Sequence, residues 1–457
     1  MAGVAMALLA PASAWADSLE WALVQAYQNN PSLNSQRASL RAQDEAVPQA
    51  LSGYRPKVSL TTSVGSQYQS TLSKSISNNT PVYSGAEAVF TPHAVGVTAQ
   101  QTLFNGYQTA NKTRQAEAQV SAGRATLAVT EQTVLLNAAT AYMNLIRDSA
   151  ILDLQRKNVE VLQEQLRQTR DRFNVGEVTR TDVAQAESRL AAGRAQVLSA
   201  ESNYISSKAV YRQVIGVEAG KLTAATPVDR FSPKTLPEAI DSGRALNPSV
   251  AAATFGIDVA LLQVKINEGA LAPTVTATAS AQQAWETNTS TALQQFNASL
   301  VASVSVPIYQ GGAEYSLIRQ AKETLGQQRI QLDTARDLVQ SNVVQSWGQL
   351  EAAKAQIQAT QAQVNSAEIA LNGVREEARV GQRTTLDVLN AQQELVNARV
   401  ALVTAQHDRV VASYALLSAA GGLSIPGLGL KSSVYDPTTH YQQVRDTWIG
   451  VRNPDGR

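Results

Sequence analysis

Cysteine is absent from the 457 residues, which excludes disulfide staples, thiolate nucleophiles and lipid attachment through an N-terminal cysteine. Aromatic residues are only 5% of a chain that is 44% hydrophobic. The apolar content is therefore small and aliphatic, suited to close, shallow helix contacts rather than to a large globular core. An excess of either charge is also missing: 38 basic and 37 acidic residues give a formal net charge of +1. With basic residues scattered, nucleic acid is excluded as a partner. The three histidines, His93, His407 and His440, have no companions at metal-ligand spacing, and no phosphate loop, nucleophile elbow or carboxylate cluster stands out. No catalytic, cofactor-binding or metal residues are expected, and hence no enzyme. Beyond the N-terminus no window of about eighteen apolar residues is found, so any membrane crossing must be made by strands.

At the N-terminus, residues Met1 to Ala16 read as the apolar part of a secretory signal. Val4 to Ala10 is an apolar run, and Ala14-Trp15-Ala16 supplies a small-x-small cleavage pattern before Asp17. The usual basic segment is missing, which predicts a signal that begins further upstream.

What the chain has in place of a compact pattern is an internal repeat. Gly106, Arg114-Gln115-Ala116, Val175-Gly176, Asp182-Val183, Arg194 and Gly216 recur 205 residues later as Gly311, Arg319-Gln320-Ala321, Val380-Gly381, Asp387-Val388, Arg399 and Gly421. Upstream, Asn30-Pro31-Ser32 and Pro56 recur 217 residues later as Asn247-Pro248-Ser249 and Pro273. The first copy therefore holds 217 − 205 = 12 more residues between Pro56 and Gly106. They fall in the Ser-, Asn- and Gly-rich stretch around Ser73 to Gly85, which predicts a longer surface loop.

Each copy reads as helix, strand, loop, strand, very long helix, turn, helix. Leu135, Ala138, Tyr142, Leu145, Leu152, Val159, Leu162 and Leu166 step mostly by three and four, a coiled-coil-like stripe. The proline-free helices expected over about 107–173 and 313–378 would each run roughly 100 Å, too long for a compact domain. The returning helices, about 181–215 and 386–420, cover half that length. The N-terminal helix, about 18–50, is sized to be stacked end to end with the first of them. The first repeat occupies 17–220, the second 221–421, and a tail 422–457.

The strand segments, about 57–70, 93–104, 272–285 and 298–308, alternate with period two. One face carries Val58, Leu60, Val64 and Tyr68; Val95, Val97, Ala99 and Leu103; Val275, Ala277, Ala279 and Ala281; and Leu300, Ala302, Val304, Val306 and Ile308. The other is small and polar, as in Thr274, Thr276, Thr278 and Ser280. Membrane barrels turn such apolar faces to lipid and polar ones to a lumen, with aromatics at the interfaces. Phe104, Tyr107 and Tyr309 lie at one end of the strands, Tyr68 and Trp285 at the other. An open edge in lipid leaves unsatisfied backbone groups, and four strands cannot close, about eight being the practical minimum. Association with copies of the chain follows. A cyclic trimer supplies twelve strands and twelve helices, and helices spaced about 10 Å apart make a ring roughly 38 Å across.

Arg172-Phe173-Asn174-Val175-Gly176 followed by Thr181-Asp182-Val183, and Val380-Gly381-Gln382-Arg383-Thr384 followed by Asp387-Val388-Leu389, resemble the paired hairpin-tip motifs of the TolC-like outer-membrane efflux and type I secretion family. The resemblance covers the whole mature chain. It implies a mainly α fold with β: a homotrimeric twelve-stranded barrel in the outer membrane of a Gram-negative bacterium, continued by a long periplasmic helical barrel. It implies a passive exit duct whose partners are outer-membrane lipid, a periplasmic adaptor protein and an inner-membrane ABC, RND or MFS transporter. Carried over by position, Val175, Gly176, Val380 and Gly381 would form the adaptor-docking tips. Arg383 would reach toward Thr181 and Asp182 of the other hairpin, and Asp387 would line a constriction. Two positions depart: Ala378 stands where relatives place a tyrosine, and Asn390 where they carry a second aspartate. Both bear on how tightly and how cation-selectively the tips shut. The C-terminal stretch Tyr435 to Trp448 resembles tails of type I secretion members.

Plainer roles stand beside these. Gly176 and Gly381 suit left-handed helix ends, Thr179 with Asp182 and Thr384 with Asp387 have capping-box spacing, and Arg383 suits a solvated turn. At the level of the whole chain, the stripe alone would permit a non-conducting coiled-coil envelope protein or adhesin stalk. The two-faced strands speak against it.

Overall fold

The computed structural model describes residues 17–288 and 292–454; the expected signal segment Met1 to Ala16 lies outside them. Ten α-helices are described: α1 Leu19–Asn29, α2 Pro31–Asp44, α3 Ala46–Leu51, α4 Gln108–Asn174, α5 Arg180–Ile215, α6 Leu236–Leu246, α7 Pro248–Gly269, α8 Ala313–Arg379, α9 Thr385–Ala419 and α10 Pro437–Val444. The six strands are β1 Lys57–Val64, β2 Gln67–Ser77, β3 Thr80–Phe90, β4 His93–Asn105, β5 Thr274–Asn288 and β6 Ala292–Ser305. Helices α4 and α8 have 67 residues each, about 100 Å at 1.5 Å per residue. The chain divides into two compact units. One comprises the N-terminal residues to Leu40, Gly123–Ala253 and Leu332–Pro437; the other Arg41–Ala122, Thr254–Gln331 and the residues from Thr438 onward.

The core of the first unit packs Leu23, Leu33, Leu135, Tyr142, Tyr211 and Ile215 together with Leu423, Ile425 and Leu428 of the tail. The Tyr142 hydroxyl lies 2.7 Å from the carbonyl oxygens of both Asp17 and Thr223, tying the start of the chain to the segment after α5. The repeated Asn-Pro-Ser motif is a splice between helices. Asn30 accepts the backbone N–H of Ser32 at 2.9 Å, opening α2, and donates to the Val214 carbonyl at 2.8 Å, closing α5. Asn247 does the same in the second copy, accepting from Ser249 at 2.9 Å and donating to the Ala419 carbonyl at 3.0 Å. One side chain thus satisfies orphan groups of two helix ends. The sequence reading had one continuous helix over 18–50; the Asn30-Pro31 junction breaks it, because a residue before proline is driven out of the helical region, and α2 ends at Asp44.

In the second unit a four-stranded antiparallel sheet runs in the order β1-β4-β5-β6. Its register aligns the apolar positions: Leu60 faces Val97, Val97 faces Ala281, and Ala281 faces Ala298. On the opposite side, Thr276 meets Ser303 at 2.7 Å and Ser280 meets Ser299 at 2.9 Å through their hydroxyls. The apolar face is bare, with Leu60 72% and Leu300 80% exposed, while the polar face is half-covered on the inner strands. A β-bulge at Leu103 shifts the β4–β5 register so that Phe104 faces Val275, a re-aiming that strict alternation does not anticipate.

Two expectations are corrected here. The Ser73 to Gly85 stretch is a β-hairpin rather than a loop: β2 and β3 pair over eleven residues each. The turn is Asn78-Asn79, both with positive φ (51° and 64°), the left-handed pair that a two-residue hairpin turn requires and asparagine tolerates. The sequence reading also finds no apolar window long enough to span a membrane, whereas the segment Leu236–Gly269 is long and apolar enough by composition. Asn247-Pro248 divides that segment into α6 and α7, and α7 packs Ala260 and Val264 against Ala321 and Leu325 of α8.

Candidate functional site: the helical tips

Each long helix is followed by a glycine in the left-handed region, which a residue without Cβ adopts at no steric cost. Gly176 has φ +80° and Gly381 +83°. The amides that follow turn back onto the helix, Glu177 to the Arg172 carbonyl at 2.9 Å and Gln382 to the Glu377 carbonyl at 2.9 Å, completing the glycine-terminated helix end. Val175 and Val380, just before each glycine, are 72% and 65% exposed. The chain then re-enters a helix through a capping box. Asp182 Oδ2 accepts from the Thr179 amide at 2.9 Å and its hydroxyl at 2.7 Å, while Thr179 Oγ1 accepts from the Asp182 amide. Asp387 and Thr384 repeat the box at 3.0 and 2.9 Å. The Thr179 hydroxyl and amide hold the Asp182 carboxyl below its usual range, and the Thr384 amide and hydroxyl do the same for Asp387. Both are carboxylates at neutral pH.

The two tips lie side by side. Leu389 of α9 packs into the cluster of Leu162, Leu166, Ala186 and Leu190 from the first hairpin. Val388 faces the other way, into Val364, Leu371 and Leu395 of its own hairpin. Polar bridges cross between them: Arg189 donates to Asn390 Oδ1 at 2.7 Å, and buried Gln392 donates to Asn158 Oδ1 at 3.3 Å while accepting from Arg375 at 3.0 Å. Asn390, the position that departs from a second aspartate, is thus the partner of an arginine. Between the long helices lies a groove of about 810 Å³ lined by Glu160, Glu164, Arg172, Glu177, Arg375 and Glu376 among others.

Arg383 is placed differently from what the resemblance implies. Its Nε donates to Glu377 at 2.8 Å, not to Thr181 or Asp182, so within one chain the cross-hairpin link is not made. The physical reason is local: Glu377 lies six residues back across the same turn, within reach without bridging to the other hairpin. Thr181 is exposed beside the capping box. The sequence reading missed Arg189, Asn158, Gln392 and Glu377. Asn158 lies four residues before Leu162 of the apolar stripe, a polar residue on a buried face of α4 where the structure leaves it only 3% exposed.

The profile of the family described as outer membrane efflux protein matches residues 22–217 and 239–422. The chain belongs to that family. An outer membrane efflux protein is a channel, not an enzyme. The outer membrane efflux protein BepC of Brucella suis biovar 1 is 43% identical over 447 residues, covering 97% of this chain and 94% of that one. The outer membrane protein TolC of Escherichia coli is 28% identical over 420 residues, covering 88% and 82%. Among solved structures, CusC superimposes with a TM-score of 0.75 at 17% identity, covering 89% of this chain and 92% of that one. VceC of Vibrio cholerae gives 0.72 at 20%, covering 88% and 96%. This outer membrane efflux protein is an exit channel for efflux or type I secretion, located in the outer membrane and extending into the periplasm.

Proposed function

We propose that three copies of this chain form one passive duct that receives cargo from an inner-membrane transporter, of the ABC, RND or MFS kind, through a periplasmic adaptor docked at the helical tips. The observation that carries this reading is the sheet. Its strands have a bare apolar face and a polar face, and its outer members β1 and β6 have no neighbour on their far sides among the described residues. Lipid does not tolerate such edges, so closure by copies is required. The exposed Val175-Gly176 and Val380-Gly381 turns, flanking a groove of mixed charge, suit a helical partner docking end-on.

The tip residues form the gate. Arg189 with Asn390 and Gln392 with Asn158 hold the two hairpins of one chain together, and Asp387 and Asp182 present fixed negative charge to whatever passes. Arg383 is shared between Glu377 in its own turn and the acidic cap of a neighbouring hairpin, so its ion pair is the labile part of the closure. Replacing Arg383 by serine is expected to raise single-channel conductance in planar bilayers; an unchanged conductance would remove Arg383 from the gate. The relatives differ in cargo: AprF of Pseudomonas aeruginosa, 26% identical over 337 residues, covering 72% of this chain and 70% of that one, is an alkaline protease secretion protein, whereas BepC is an efflux protein. The 97% coverage and higher identity of BepC favour efflux.

A further inference from the structure

The β2–β3 hairpin is taller than lipid requires. A membrane strand needs about 9–11 tilted residues, and β4, with 13 residues, and β5, with 15, already supply them. The upper rim of that sheet is marked by the stacked rings of His93 and Trp285, 5.2 Å apart, in the row where Val64 faces His93. Aromatic pairs of this kind sit at the headgroup boundary of membrane barrels. Beyond this row the chain pauses at Gly65-Ser66 and Thr91-Pro92 and then runs on as β2 and β3, about 36 Å at 3.3 Å per residue. Beyond this row the first hairpin holds residues 65–92 and the second only 286–293, so β2–β3 reaches further above it than β5–β6 does.

The register does not slip at the pause. Val64 faces His93, the Gly65 amide donates to the Pro92 carbonyl at 3.0 Å, and Gln67 faces Phe90 three residues further on each side. The side of the hairpin that continues the lipid-facing row therefore carries Tyr68, Ser70, Leu72, Lys74 and Ile76 on β2 and Pro81, Tyr83, Gly85, Glu87 and Val89 on β3. The opposite side is small and polar on β2, with Gln69, Thr71, Ser73 and Ser75, while β3 adds Val82, Ala86, Ala88 and Phe90 there. The outward side keeps large apolar and aromatic residues bare above the hydrocarbon, between Lys74 and Glu87: Leu72 is 73% and Ile76 74% exposed. Lys74 Nζ lies 5.9 Å from the centre of the Tyr83 ring. An apolar surface held in water marks a binding face, and aromatic rings beside a lysine suit the ring faces and anionic groups of a phosphorylated sugar.

We propose that the outward face of the β2–β3 hairpin docks against the saccharide headgroups of the outer-leaflet glycolipid surrounding the barrel, with Tyr68 and Tyr83 packing on sugar rings and Lys74 meeting phosphate. The occupant follows from continuity: the same face, in the same register, is the one the barrel turns to lipid. The inference rests on the outer-membrane location and on the barrel's orientation, not on cargo or gate.

The test uses the full mature protein in detergent and in vesicles. Wild type passed over a sizing column with added lipopolysaccharide is expected to retain several-fold more glycolipid per trimer than the Tyr68→Ser, Lys74→Ser, Tyr83→Ser triple variant, with the trimer of both intact by heat-modifiable mobility. Because the chain has no cysteine, Leu72→Cys offers a single thiol for an environment-sensitive fluorophore. Its emission is expected to shift blue in vesicles containing lipopolysaccharide and not in vesicles of phosphatidylethanolamine and phosphatidylglycerol. Equal retention by wild type and variant, an equal shift in both vesicles, or efficient disulfide linkage of Leu72→Cys protomers without glycolipid would each overturn the proposal, the last by naming a second copy as the occupant. Failure of the wild type to form a trimer would instead strike at the channel reading.

Discussion

At the scale of single residues, the chemistry of this protein is a matter of where charge is held. Glu131 is mostly buried in the first unit, where its carboxylate accepts the Ile425 amide at 3.2 Å and lies near Arg37. Burial outweighs both and raises its pKa above the usual carboxylate value. The folded state therefore binds the Glu131 proton more tightly than the unfolded state, and this contribution to stability is lost as pH rises through the raised pKa. Glu131→Gln keeps the acceptor and removes the titration. It is expected to raise the thermal midpoint at pH 7.5 and to leave it nearly unchanged at pH 4, as calorimetry in detergent would show. The tip carboxylates have the opposite sign: their lowered pKa values stabilise the caps above the unfolded carboxylate range and lose that effect only as pH falls through the folded values. Their capping boxes were legible in the sequence because threonine, aspartate and their spacing are local. The Arg189–Asn390 bridge was not, because its partners lie 201 residues apart and nothing local ties them.

At the scale of elements, the Asn-Pro-Ser repeats show how half-length helices are joined into longer rods. Each asparagine serves two helix ends, so Asn30→Ala is expected to lower stability by about 1–2 kcal/mol through loss of the α2 cap, with an added cost from the stranded Val214 carbonyl. Asn30→Asp, which keeps the acceptor and loses the donor, is expected to fall between, as a denaturant titration of the detergent-solubilised protein would read. The sequence marked the motif as repeated but not its use, since the helix it closes, α5, arrives from 184 residues away. The long helices were readable from missing prolines and the apolar stripe. The β2–β3 hairpin reads as a loop because asparagine and glycine are depleted from strands in general, yet here nearly every hairpin residue is exposed, so polar side chains stay solvated.

At the scale of the whole molecule, the sheet and the long helices were both legible as patterns of period two and of three to four, and the repeat fixed their order. The need for copies was legible too, since four strands cannot close; what only the structure adds is which strands, β1 and β6, stand at the edges. The mature protein is expected to fractionate with outer membranes and to migrate as a heat-modifiable trimer; recovery as a water-soluble monomer without detergent would refute the duct. The bare rims also set a condition on biogenesis. A newly exported chain carries two unpaired strand edges through an aqueous compartment crowded with other barrel precursors, and its sisters arrive only by encounter. Its yield should therefore fall steeply when periplasmic holding chaperones are depleted, well before any effect on its folded form is seen.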